Sequence, residues 1–471
     1  MGGKYLSQWL LLMLICSCLV SLSSCRRPAR LLSSSSMGSL NVKAVNLGGW
    51  LVTEGWIFPS LFDGIVNKDM LDGTQIQLKS VTQQMYLSAE TGGGTIIVAN
   101  RTSASGWETF KLWRINESTF NFRVFNWQFV GLSSDGNQVV ATAASPGKTE
   151  TFQIVRNLTA SRVRIRAPNG SFLQAKTAVS VTADYTEEST SWGDDDPSVF
   201  EMTMVGQLQG EFQITNGYGT EAATPILRNH WSTYIVEDDF RFIANNGLNA
   251  VRIPVGWWIA SDPNPPKPFV GGSLQALDNA FTWAEKYNLG VIVDLHAAPG
   301  SQNGYEHSAS RDGSQEWGTT DENIAQTINV IDFLASSSFY GFDKQQSFSN
   351  CRYAKRSGLL AIELINEPLA PKATLDSLKK YYQAGYNVVR KYTSNAYVIM
   401  SNRLSASSTE LLQFASGFQK SVLDVHYYNL FSSEFTTMTV QQNIDYVNNN
   451  RSTDISTVSI ANGPLVFVGK S

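Results

Sequence analysis

Five apolar runs in this chain end alike, on polar residues that the middle of a strand would not hold. Asn46-Leu47-Gly48-Gly49-Trp50-Leu51, Val251-Arg252-Ile253-Pro254-Val255-Gly256-Trp257, Asp294-Leu295-His296 with Asn303 beyond it, Asn366-Glu367-Pro368, and Asp424-Val425-His426-Tyr427-Tyr428 each sit at or just after such a run. Between them the pattern alternates. Strand-like segments read over 249–254, 290–295, 359–364, 397–401, 422–426 and 465–468, and helical periodicity marks 274–287, 321–334 and 374–392. His230-Trp231-Ser232-Thr233-Tyr234 reads as the opening of a further helix, capped by Ser232 or Thr233, with Ile235, Phe240, Phe242 and Ile243 on its apolar side. Strands alternating with helices make an α/β protein with a parallel sheet.

The stretch Ala361-Ile362-Glu363-Leu364-Ile365-Asn366-Glu367-Pro368 narrows the fold to a (β/α)8 TIM barrel. Ile362, Leu364 and Ile365 favour a strand, while Pro368 cannot donate to a ladder and biases Glu367 towards extended backbone. Glu367 then projects from the C-terminal end of a strand. In such a barrel that rim carries the chemistry, and a carboxyl group there is a general acid/base candidate. The bland alternative is a plain Asn-Glu-Pro turn at a strand end.

A block over 72–205 breaks this grammar and repeats internally. Tyr86-Leu87-Ser88, Phe129-Val130-Gly131-Leu132-Ser133 and Phe172-Leu173-Gln174 recur about every 43 residues. Each is followed by an aromatic-closed strand: Glu108-Thr109-Phe110-Lys111-Leu112, Glu150-Thr151-Phe152-Gln153-Ile154 and Val199-Phe200-Glu201-Met202. Three β-patterned units favour an all-β trefoil inserted into the barrel over a propeller, which generally needs at least four blades.

The N-terminus has the form of a targeting segment. Lys4 precedes the apolar run from Trp9 to Val20, and Ser21, Ser23, Ser24 and Cys25 follow, so residues 1–25 read as a signal peptide. A membrane anchor is the alternative, but the run is well short of the ~20 residues that cross a bilayer. Acceptor sequons at Asn100, Asn116, Asn157, Asn169 and Asn450 suit a secreted, extracellular glycoprotein. Cys16, Cys18, Cys25 and Cys351 give no disulfide framework. Net charge is −4 with no basic run in the body of the chain, which gives no reason to invoke nucleic acid, nor a membrane once the signal is removed.

Taken in order, the five strand-end motifs resemble glycoside hydrolase family 5, most closely its exo-β-1,3-glucanase-like members, over roughly residues 40–71 and 206–471. Plant relatives carry a fascin-like trefoil after the first barrel strand, and the position here is similar. The domain plan implied is a signal peptide over 1–25, the start of the barrel over 26–71, the trefoil over 72–205 and the rest of the barrel over 206–471. The chemistry implied is retaining hydrolysis of β-glucan or a related wall polysaccharide, by two carboxyl groups about 5 to 5.5 Å apart, in a monomer with no cofactor and no metal. Glu367 matches the acid/base. Asn366 matches the residue that bonds the sugar hydroxyl beside the reacting carbon, and Arg252 the arginine that orients the nucleophile. His426 and Tyr428 match residues that position sugar and carboxylates; Glu54, His296 and Asn303 match substrate-binding positions. Singly, Arg252 could be a barrel-end ion pair, the histidines satisfied core residues and Tyr428 a packing aromatic. A metal site from His296, Glu306 and His307 has no spacing to support it.

Two departures from the family pattern stand out. The relatives end their seventh strand in a Val-Gly-Glu-Trp-like segment whose Glu is the nucleophile, whereas this sequence reads Phe467-Val468-Gly469-Lys470. Lys470 therefore stands in the nucleophile's place, the eighth βα unit is expected to be missing, and Glu367 should ionise more readily than in relatives. Residues 337–351 have no periodic apolar pattern and read as a foreign insert. Both departures point to an incomplete, inactive version of such an enzyme, or to a non-catalytic carbohydrate-binding protein. A trefoil-based adhesion or cytoskeletal binder is the third possibility, which the targeting segment and sequons oppose.

Overall fold

The computed structural model describes residues 41–157, 160–186, 191–336, 353–405 and 407–470. The targeting run, Cys16, Cys18, Cys25, Cys351 and the segment 337–351 lie outside the described residues.

Seven strands form one parallel sheet in sequential order: β1 (Ala44–Asn46), β2 (Ala250–Gly256), β3 (Gly290–Ala297), β4 (Leu359–Glu363), β5 (Tyr397–Ser401), β6 (Ser421–His426) and β7 (Leu465–Lys470). This is the order of a (β/α)8 barrel. The side-chain amide Asn46 Nδ2 donates to the backbone carbonyl of Gly469 at 2.7 Å, so the first and seventh strands meet and the sheet is nearly closed. Helices α1 (Glu211–Tyr218), α2 (Thr220–Thr233), α3 (Glu237–Asn245), α4 (Ser273–Lys286), α5 (Asp321–Ala335) and α6 (Leu375–Tyr392) accompany it. Among the described residues no helix is long and apolar enough to cross a membrane.

Strand alternation sorts the barrel side chains. Val251, Ile253, Val255, Val291, Val293, Leu295, Ile362, Val398, Met400, Leu423 and Val425 join the main core with helix residues such as Leu277, Phe281, Ile331, Leu378 and Tyr382. The residues between them face inward, where Ile292, Ala361, Ile399 and Val422 form a small apolar layer.

The helix start expected at His230 is corrected. His230 to Thr233 close α2, and α3 begins only after Val236, whose N–H donates to Asp239 Oδ2 at 2.7 Å. Glu237, Asp238 and Asp239 crowd the first turn of α3, where negative charge suits the helix dipole. Phe242 is 68% exposed, so the apolar side of α3 narrows to Phe240 and Ile243. Sequence patterning also passed over α1 and the helical run before β7 (Val440–Tyr446, Ser452–Val458); α1 buries Glu211, Gln213 and Thr215 beside a single aliphatic, and Val440–Tyr446 buries nothing.

Among the described residues, twelve antiparallel strands lie between β1 and α1, four per repeat, as a β-trefoil requires. The first and fourth strands of the repeats, Gln75–Ser80, Thr109–Arg114, Thr119–Arg123, Phe152–Arg156, Arg162–Arg166 and Phe200–Gly206, pair in a closed ring. The second and third strands form three hairpins, Tyr86–Ala89 with Ile97–Arg101, Phe129–Leu132 with Val139–Ala143, and Phe172–Thr177 with Ser180–Tyr185. Bridges Ile96↔Val140 and Gln138↔Thr182 tie neighbouring hairpins together. The recurring motifs are thus the second strands, and Phe110, Phe152 and Phe200 are equivalent core residues of the fourth.

Candidate active site

Inward positions above the apolar layer are charged. Arg252 on β2, Asp294 on β3, Glu363 on β4 and Asp424 on β6 are all buried there. Arg252 donates through Nε to Glu363 Oε2 at 2.7 Å and through Nη2 to Glu363 Oε1 at 3.0 Å, and its Nη2 lies 3.1 Å from Asp294 Oδ2. Nη2 also donates to Asn366 Oδ1 at 3.0 Å, and Nη1 to Asn46 Oδ1 at 3.2 Å. Burial pushes the carboxyl groups of Glu363 and Asp294 above their ordinary range, against the pull of Arg252. Polar atoms of Glu363, Asp424 and His426 lie within 4.8 Å of one another, but each residue already has a protein partner.

Two residues further along β3 and β6, period two puts His296 and His426 on the same inward face. His426 bridges two carboxylates, Nδ1 to Glu367 Oε1 at 2.6 Å and Nε2 to Asp424 Oδ2 at 2.9 Å. Both acceptors are anions, so both ring nitrogens donate and the ring is an imidazolium. Burial opposes that charge, but Asp424 and Glu367 outweigh it and raise the pKa to about 9. His296 is the opposite case. Its Nδ1 donates to Asp294 Oδ2 at 2.5 Å and its Nε2 accepts from Lys470 Nζ at 3.2 Å, which fixes a neutral ring. Burial, then Lys470 and His307, hold its pKa well below the usual value.

Glu367 lies just beyond β4, with φ 47 rather than the extended backbone expected before proline. Tethers on both sides hold this left-handed conformation: its N–H donates to Ser401 Oγ at 3.3 Å, and its carbonyl accepts from Asn303 Nδ2 at 3.1 Å. Tyr381 and Tyr382 of α6 fix the strand ends themselves, donating to Leu364 O and Ser401 O. Although burial favours its protonated form, hydrogen bonds from His307 and His426 and the charge of Lys470 hold the Glu367 carboxyl well below the usual range. His307, which the sequence offered only as a metal-ligand candidate, sits in the short 3-10 turn Glu306–Ser308 and lies 3.1 Å from Glu367 Oε2 and 3.0 Å from Asn303 Nδ2.

The remaining site residues gather at the same rim. Tyr428 is half-buried, and burial, then the charges of Glu367 and Glu54, raise its pKa strongly. Glu54 is buried in the loop after β1 and accepts from Trp56 Nε1 at 3.3 Å. The structure therefore groups Glu367, Asn366, Arg252, His296, Asn303, His426 and Lys470 by direct contact, and Tyr428 and Glu54 by their field. A cavity of about 560 Å³ lined by Phe58, Leu61, Ile226, His230 and Tyr234 contains none of them.

Residues 215–471 match the family described as Cellulase (glycosyl hydrolase family 5). Residues 67–205 match a domain of unknown function, DUF7910. The chain is 37% identical to a glucan 1,3-beta-glucosidase of Blumeria graminis over 51% of its own length and 53% of that protein. It is 36% identical to a probable glucan 1,3-beta-glucosidase A of Aspergillus terreus, over 53% and 55%. The chain thus spans about half the length of the curated relatives it matches. Among solved structures, a rutinosidase from Aspergillus niger is 21% identical with a TM-score of 0.43, covering 55% of this chain and 70% of that one.

Proposed function

The chain belongs to glycosyl hydrolase family 5, and from that premise we propose that it is a secreted protein whose cleft holds β-glucan or a related wall polysaccharide. Glu367 is the acid/base of the cleft, and Asn366, Arg252, His426 and Tyr428 position sugar and carboxylates around it. Glu54, His296 and Asn303 contact the saccharide. The relatives' names, glucan 1,3-beta-glucosidase, support the substrate class. Exposure of Asn100, Asn116, Asn169 and Asn450 supports glycosylation and hence secretion.

The reading includes an arrest of turnover in this chain. Retaining hydrolysis needs a second carboxylate to attack the anomeric carbon, and a protonated acid to release the leaving group. Lys470 supplies neither. Its ammonium has no electron pair to attack with, and its charge helps keep Glu367 ionised when an acid is needed. The observation that carries this is the grouping of Lys470, His296, His426 and Glu367 at one rim. What remains is saccharide binding without cleavage. Calorimetric titration with laminaripentaose, against maltopentaose as control, tests it. Selective binding of the β-linked sugar, weakened by Glu54→Gln, is expected; no binding of laminaripentaose by the native chain would contradict it.

A further inference from the structure

A second group of side chains, used by nothing above, lies at the seam of trefoil and barrel. Trp127 sits half-buried in the turn after Thr119–Arg123, in left-handed backbone with φ 74. Three cations crowd its ring. Lys111 Nζ lies 4.8 Å from the ring centroid, Lys372 Nζ 4.5 Å, and the Arg123 guanidinium carbon 4.9 Å. Lys111 and Arg123 are register partners on adjacent strands, so they stand side by side. Lys372 comes from the barrel loop between Glu367 and α6, and is exposed.

Like charges gathered this closely call for an anion, and the nearby acids are already taken. Asp312 Oδ2 accepts from Arg123 at 2.8 Å and from Trp113 Nε1 at 2.6 Å, while its Oδ1 accepts from Ser314 N at 3.0 Å. Glu316 lies 3.9 Å from the same Arg123. Arg311, the next cation along, pairs with Asp72 at 2.7 Å. Two ammonium groups are left over. Among the described residues, Lys111 and Lys372 have the indole and no hydrogen-bonding or ion-pair partner. Burial lowers the Lys111 pKa and Asp312 counters it, while Arg123 and Lys372 lower it further.

We propose that this seam binds an acidic sugar unit of a glycan, a uronic acid whose carboxylate is held by Lys111 and Lys372 while its pyranose ring packs on Trp127. A cation over an indole is held less firmly than one hydrogen-bonded to a carboxylate, so the ligand draws the ammonium groups off the ring and frees it. An indole beside two ammonium groups matches a pyranose carrying a carboxylate, whereas a neutral sugar leaves both charges unanswered. The choice of a glycan rests on the family reading above. Lys372 follows Glu367 by a few residues on one loop, so one segment of chain links the seam to the cleft, and the seam sorts mixed wall polysaccharides by charge.

The test is calorimetric titration of the full chain with trigalacturonate, its carboxyl-reduced neutral counterpart, and inorganic sulfate. The acidic trisaccharide should bind roughly tenfold or more tightly than either of the others, and less tightly at raised ionic strength. Because Lys111 is half-buried, the exposed Lys372 carries the mutational arm: Lys372→Gln should weaken trigalacturonate about tenfold, while Lys148→Gln, at another exposed lysine of the trefoil, should not. Equal binding of acidic and neutral sugars, no effect of Lys372→Gln, or sulfate matching the trisaccharide would each overturn the proposal. Laminaripentaose binding is read separately, so loss of the cleft reading and loss of the seam reading are distinguishable.

Discussion

The trefoil ring and the barrel interior use the same strand alternation and fill it with opposite chemistry. Each of the six ring strands sends two apolar side chains inward: Ile76 and Leu78, Phe110 and Leu112, Phe120 and Phe122, Phe152 and Ile154, Val163 and Ile165, Phe200 and Met202. In the barrel the inward set turns from Ile292, Ala361, Ile399 and Val422 to Arg252, Asp294, Glu363 and Asp424 within one step of the alternation. An apolar interior tolerates exchange of shapes and does no chemistry. A buried charged layer is stable only when complete, because each member compensates another.

The largest test of that contrast is a pair of substitutions to the same residue. Arg252→Met leaves buried carboxylates uncompensated and should cost about 3 to 5 kcal/mol in urea unfolding. Leu112→Met in the trefoil should cost less than about 1.5 kcal/mol. Similar losses at both positions would remove the distinction.

A pH dependence comes next in size. The His426 pKa is raised from 6.5 to about 9, so its pairing with Asp424 and Glu367 stabilises the fold fully below the unfolded value. That contribution, on the order of 3 kcal/mol, fades as pH rises through about 9. Urea midpoints between neutral pH and pH ~10 should fall in the native chain, and fall less in His426→Asn. Parallel profiles for the two chains would show that the imidazolium is not the group responsible.

A smaller shift should follow from Lys470→Met. Removing that cation should raise the Glu367 pKa, visible in carbon-detected NMR titration of labelled glutamates. Glu367 stabilises the fold above its unfolded pKa, and this is lost as pH falls through its lowered folded value. The variant should therefore lose that stability at a higher pH than the native chain. An unmoved titration would place Lys470 outside the field of Glu367.

Much of this was legible in the sequence because repetition and strand ends leave local marks. The recurrence at Tyr86, Phe129 and Phe172 located the second strand of every trefoil unit, and the polar strand ends located Arg252, His296, Glu367 and His426. The acidic layer was hidden for a simple reason. Asp294 and Asp424 each precede a noticed histidine by two residues, and strand alternation puts both members of such a pair on one face, so period two within the motifs would have found them. His307 has no such signal, since a loop carries it to Glu367. The left-handed backbone of Glu367 depends on Ser401 and Asn303, residues distant in sequence, and overrides the local bias of Pro368.

The central claim is that the cleft holds a family 5 acid/base at Glu367 facing a lysine that cannot attack. Release of aryl alcohol from an aryl β-glucoside and of glucose from β-1,3-glucan, compared between the native chain and Glu367→Gln, tests it most directly. The account predicts no product above the blank from either chain. Turnover by the native chain that disappears in Glu367→Gln would contradict it.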